Sequence, residues 1–400
     1  MVVDKRLTGD PAAIDEEFMS ENIVPENIID VPTDDEILPE DISIIEDDEG
    51  GVVVDFDPSQ MMGGDGSEDF FANLAETVDS RELTKLGNDL SGYYREDKQG
   101  RKDWEMTYVE GLDLLGFKYE EREQPFKGAS GISHPLLAES VVQFQAQAYK
   151  ELLPPDGPVR TQIIGTISPE TEKQAQRVKE YMNYQITDVM EEYDPDMDQL
   201  LFYLPLAGSA FKKVYYDESL QRAVSKFVAC EDLVVPYTTT DLQSAERVTH
   251  VVHMQMNDLR KMQVNGFYRD VSIHPETMHV SDTQSKLDDL QGERPGAHDE
   301  QYVLLECHVD LDLLGYEDTD ETGEPTEVRL PYIVTVDESS GEILAIRRNW
   351  TPDDPMKKKK QYFVHFKFLP GLGFYGFGLI HMIGGLSRSA TSVLRQLIDA

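Results

Sequence analysis

The 400-residue sequence has little cysteine, only Cys230 and Cys307. Two residues so far apart offer neither metal-ligand spacing nor a disulfide framework, and both read as buried thiols in strand-like runs. Long apolar runs are also missing. No stretch approaches the roughly 18 to 20 residues that a membrane-spanning helix needs. The start, MVVDKRLTGD, lacks the apolar core of a secretory signal. These absences predict a soluble chain made in a reducing compartment, with no membrane partner. Positive charge is scarce: 36 Lys and Arg face 77 Asp and Glu, for a net charge of −41. Such a surface repels phosphate, which disfavours a protein that wraps nucleic acid through salt bridges and suits one that DNA must pass without sticking. The sequence contains no G-x-S-x-G, no H-E-x-x-H and no Cys-His arrangement, so no catalytic residues are assigned and no enzyme, metal or cofactor is expected.

What is present is enough apolar residue, 40%, for a sizeable core, and length for roughly two to three domains. The first fifty residues hold seventeen Asp and Glu against Lys5 and Arg6. Short apolar clusters, Ile28-Ile29 and Ile42 to Ile45, break the acid. Residues 1–68 therefore read as an acidic disordered segment, a solvated tail more than a docking motif.

Residues 69–209 read as helical. The expected helices are 70–98 (stripe Phe70, Phe71, Leu74, Val78, Leu83, Leu86, Leu90), 101–115 ending at Gly116, and 135–153 stopped by the Pro-rich run after Leu153. A short strand is expected over 159–164. Ser168 and Pro169 open a further helix carrying Ala175, Val178, Tyr181, Met182 and Tyr184. Asp194-Pro195 begins another, kinked or ended near Pro205. Residues 210–369 read as strands: 210–216, 223–229, 248–256, 302–311, 328–336, 342–349 and 362–368, with a short helix over 257–264 and a polar loop over 281–300.

Residues 370–400 read as a glycine-aromatic loop and a long helix. The loop GLGFYGFG contains G-x-G-x-x-G between a strand and a helix, the setting of a dinucleotide fingerprint. The preceding strands look antiparallel, and Phe374 and Tyr375 suit packing more than approach to a pyrophosphate. The helix carries Ile380, Ile383, Leu386, Ala390, Val393, Leu394 and Leu397 at near-helical spacing. No stop signal follows Ala400, which predicts that the sequence is the front part of a longer polypeptide. Gly128 to Ile132 forms a tight loop without the GK[ST] of a nucleotide P-loop. His250 and His253, three apart on a strand, point to opposite faces and cannot share a metal. Glu231 and Asp232 are rejected as a catalytic pair, because adjacent strand residues diverge. Lys357, Lys358, Lys359 and Lys360 form the one strongly basic run. It reads as a solvated loop first, and as a contact for DNA phosphates or an acidic neighbour second.

Several stretches together resemble the portal proteins of short-tailed, podovirus-like bacteriophages. They are FYLPLAGSAFKK (202–213), CEDLVVPY (230–237), AERVTH (245–250), NDLRK (257–261), GFYR (266–269) and FLPGLGFYGFG (368–378), in order over about residues 75–400. The resemblance implies an α+β fold, in which helices and antiparallel strands form a portal wing and the last helix leads toward the stem. It implies a homo-oligomeric ring, commonly a dodecamer, at one capsid vertex of the virion, assembled in the host cytoplasm. Double-stranded DNA passes through the channel, driven by a large terminase, and tail adaptor and major capsid proteins dock on the ring. The portal itself hydrolyses nothing. Subunit or DNA contacts are expected at Lys357 to Lys360, Phe374, Tyr375, Phe377, Arg388 and Arg395. Two alternatives stand beside this reading: a nucleotide-binding enzyme using the glycine loop, and an acidic scaffold or adaptor whose tail recruits partners.

Overall fold

The structure is a computed structural model that describes residues 44–46, 52–54, 70–117, 122–123, 126–217, 220–275, 281–292, 301–319, 324–371 and 373–400. The chain divides into two units, Met1–Asp65 and Gly66–Ala400. In the first, β1 (Ile44–Glu46) and β2 (Val52–Val54) pair antiparallel; the rest of the expected acidic segment lies outside the described residues.

The second unit is an α+β fold. A 3-10 turn at Leu74–Glu76, capped by Asn73, precedes α1 (Ser80–Gly100). The helix expected from residue 70 starts ten residues later, because Asp79 accepts a hydrogen bond from the Arg81 amide and caps the helix there. Gly87 is needed within α1: a β-carbon there would lie 2.0 Å from the Gly341 carbonyl oxygen. Helix α2 (Lys102–Leu112) ends through a 3-10 turn at Gly116, whose φ of 72° suits glycine. Helix α3 is Leu136–Leu152 and α4 is Pro169–Tyr184, opened by a Ser168–Thr171 capping box and prolonged by a π turn. The strand expected at 159–164 does not form. Those residues run beside α4 without a ladder partner, tied by the Val159 amide donating to Asn183 Oδ1. Helix α5 (Tyr193–Ala207) holds Pro205 in its last turn and ends two residues beyond it, near the stop expected there.

A three-stranded antiparallel sheet follows in the order β10-β3-β4, from β3 (Ser209–Asp217), β4 (Arg222–Val228) and β10 (Phe363–Lys367). The larger sheet is an antiparallel meander in the order β5-β6-β7-β8-β9, from β5 (Leu233–Val234), β6 (Arg247–Met254), β7 (Tyr302–Leu311), β8 (Leu330–Asp337) and β9 (Ile343–Arg348). Its strand β8 is buried on both faces. Leu83, Leu90 and Tyr94 of α1 share a core with Tyr332, Val334 and Val336. On the other side Leu344 and Ala345 of β9 pack with Tyr268 and Leu259, the latter from α6 (Met256–Val264). Residues 282–291, expected to be loop, form helix α7 (Asp282–Gln291), because Ser281 accepts the Gln284 amide as an N-cap. The chain ends in α8 (Leu379–Asp399). Among the described residues, no helix is long and apolar enough to cross a membrane.

Candidate assembly surface

The glycine loop is a joint between backbones. Gly208, just past α5, has φ 92°, and a β-carbon there would sit 2.3 Å from the Gly376 carbonyl oxygen and 2.4 Å from the Gly378 amide. A β-carbon at Gly376 would meet the Gly208 oxygen at 2.4 Å, and one at Gly378 the Leu206 oxygen at 2.2 Å. Such approach is open only to glycine. The Phe368 amide donates to Gly208 O (3.0 Å) and the Gly376 amide to Ser209 Oγ (2.8 Å). Of the three glycines of the G-x-G-x-x-G pattern, Gly376 is packed against Gly208, while Gly371 and Gly373 have open space around them.

Two of the aromatics expected to contact a neighbouring subunit are instead engaged within the chain. Phe374 is buried against Phe211 and His365. Tyr375 stacks on Trp104, with ring centres 4.8 Å apart, and its hydroxyl donates to Leu233 O at 3.0 Å. Arg101, whose role the sequence pattern does not single out, clamps this joint. Its guanidinium donates to the carbonyls of Cys230, Glu231 and Leu233, to Tyr375 Oη and to Glu105. Glu231 and Asp232 lie in the turn between β4 and β5 rather than in a strand. Burial, with the neighbouring Asp232 charge, pushes the Glu231 carboxyl up to about 7.

A second buried cluster joins the two sheets. Lys213 of β3 donates to both Glu306 oxygens of β7, at 2.7 and 2.6 Å, and His308 Nε2 lies 2.8 Å from Glu306 Oε1. Burial opposes the Glu306 charge, yet Lys213 and His308 hold its pKa well below the usual range. His250, opposite Glu306 on β6, is held neutral by burial, its pKa pushed down to about 3. His253 is exposed on the other face of the strand, as the spacing requires. Cys230 and Cys307 are buried free thiols. Among the described residues, no group of His, Cys, Asp or Glu is arranged to hold a metal.

The remaining expected contacts are spread over the surface. Lys357 pairs with Asp318, and Lys359 donates to Ala245 O at 2.8 Å, so half of the lysine run braces loops of its own chain. Lys358 and Lys360 are exposed, and Phe377 is half-buried against His381. Arg395 donates to Ile132 O at 2.7 Å and to Ser133 Oγ at 3.2 Å, while Arg388 is two-thirds exposed, 3.7 Å from Glu110. Both arginines line a cleft of about 540 Å³ beside α8, with Arg122, Thr391 and Asp399.

The apolar stripe of α8 does not face the core throughout. Ile380 is buried, settled over Gly111 of α2, but the other buried positions are Gly384 and Ser387. The His134 amide donates to Thr391 and the Ser130 amide to Asp399, fixing the inner edge of the helix. Small and polar side chains therefore face inward, and Met382, Leu386, Val393 and Leu397 face out, Leu386 63% and Leu397 72% exposed. Neither a protein-family model nor a curated protein matches this chain.

Proposed function

We propose that this chain is a ring-forming subunit of the portal type, which lines a passage for double-stranded DNA and hydrolyses nothing itself. The observation that carries the reading is the outward apolar stripe of α8. Four large apolar side chains on one helix face, in a chain of net charge −41, call for a protein neighbour. The overall acidity supports the passage: a polyanion moves along such a surface without adhering. The order of elements also fits, with a mixed helix-and-strand body leading into a long terminal helix. The dinucleotide alternative is weakened because the strand before the loop, β10, belongs to an antiparallel sheet rather than a βαβ unit, and the third glycine of the motif, Gly376, is in backbone contact with Gly208. Terminase, tail adaptor and capsid protein remain the partners this reading calls for. Mass photometry of the full-length protein tests it. One large species of fixed subunit number is expected, and a monomer at all concentrations refutes it.

A further inference from the structure

We infer that the cleft of about 540 Å³ beside α8 binds a phosphate group. The inference goes beyond the ring reading and concerns a single copy of the chain.

Acidic residues outnumber basic ones by more than two to one in this sequence, yet three arginines line this one cleft. Its wall is a regular match between helix and loop. Thr391, Arg395 and Asp399 stand one turn apart on one face of α8. They bond the His134 amide, the Ile132 carbonyl and the Ser130 amide, alternate residues of the facing run. These bonds fix Arg395 and engage Asp399 with the loop, so the wall is set before a ligand arrives.

The other two arginines are less committed. Arg388, on the same face two turns before Arg395, is two-thirds exposed and 3.7 Å from Glu110. Arg122 makes one hydrogen bond, to Ser130 O at 3.3 Å, out of the five N–H groups that a guanidinium carries. Asp113 also lines the cleft, but Lys286 holds its carboxylate at 2.5 Å. Among these side chains four cations meet three carboxylates, a local balance of plus one in a chain of −41.

The hydroxyls of Ser133, Thr391 and Ser392 line the cleft as well. One planar fork satisfies a carboxylate. Guanidiniums from helix and loop, with hydroxyl donors between them, match the three or four oxygens of a phosphate. That phosphate belongs either to a free anion or to a nucleic-acid backbone, and the chemistry of the cleft is the same for both.

The test uses the full-length chain in phosphate-free buffer. Inorganic phosphate and pyrophosphate are titrated by calorimetry, and a fluorescent DNA duplex by anisotropy. Arg388→Gln and Ser392→Asp alter the cleft at exposed positions, and K358Q/K360Q removes exposed cations elsewhere. Urea midpoints of all three should match wild type. Saturable binding is expected for wild type and the lysine variant, weakened at least about tenfold by each cleft variant. Binding of phosphate or pyrophosphate assigns a free anion, and binding of the duplex alone assigns the backbone. If no probe binds, if the cleft variants bind like wild type, or if the lysine variant loses as much, the inference is overturned. A ring seen by mass photometry would stand in each of those cases.

Discussion

Replacing Gly208 by alanine probes the joint that the glycine loop makes with α5. An L-residue at φ 92° costs about 1–2 kcal/mol. The new β-carbon would also lie 2.3 Å from Gly376 O, 2.4 Å from Gly378 N and 2.5 Å from Phe377 C. All three atoms belong to backbone, so a main chain must shift, which costs about a further 1–3 kcal/mol. The expected destabilisation is therefore about 2–5 kcal/mol. Gly373→Ala serves as the control: nothing lies within 4 Å of its β-carbon, and its change should stay within about 0.5 kcal/mol. Gly92→Ala, in the open on α1, should stabilise by about 0.5–1 kcal/mol. Urea unfolding at fixed protein concentration reads all three. Trp104 stacks on Tyr375 of the joint, so its fluorescence reports this region. A Gly208→Ala midpoint equal to that of wild type would refute the backbone-contact account and reopen the loop to a ligand.

Other outcomes follow from the buried charges. His250 and His365 are both held down to about 3 by burial, with Lys367 adding to the effect at His365. The stability they confer is fully present above about 6.5 and is lost as pH falls toward 3. Glu231, pushed up to about 7, works the other way: its contribution is greatest below about 4.5 and is lost as pH rises through 7. Between pH 6.5 and 4.5 these three groups leave a net uptake of one proton on unfolding, a slope of about 1.4 kcal/mol per pH unit. His365→Phe should remove about one proton from that uptake, measured as urea midpoints across pH. An unchanged slope contradicts the burial of His365. Glu306→Gln should cost about 3–5 kcal/mol in chemical denaturation by leaving Lys213 without its carboxylate. The double change K213M/E306L should cost much less, and equal costs would show that the pair does not act as a unit.

The strands and most helices were legible because their signals are local. Ser168-Pro169 caps α4, Gly116 ends the second helical run, and runs of apolar residues mark β7 to β9. Helix α7 was not legible, since its only start signal, Ser281, sits in a polar stretch with little apolar period. The run 159–164 has strand-like composition but no edge to pair with. At the candidate surface, periodicity located the apolar stripe of α8 but not its direction. Facing was decided by small residues, because Gly384 and Ser387 allow close approach to the body and leave Leu386 and Leu397 outside. Arg101 and Gly208 gave no sequence signal: each matters through partners more than a hundred residues away.

The account rests on assembly around a passage, and negative-stain electron microscopy of the full-length protein tests that most directly. Rings of one subunit number with a central pore are predicted. Compact single particles without a pore would contradict it.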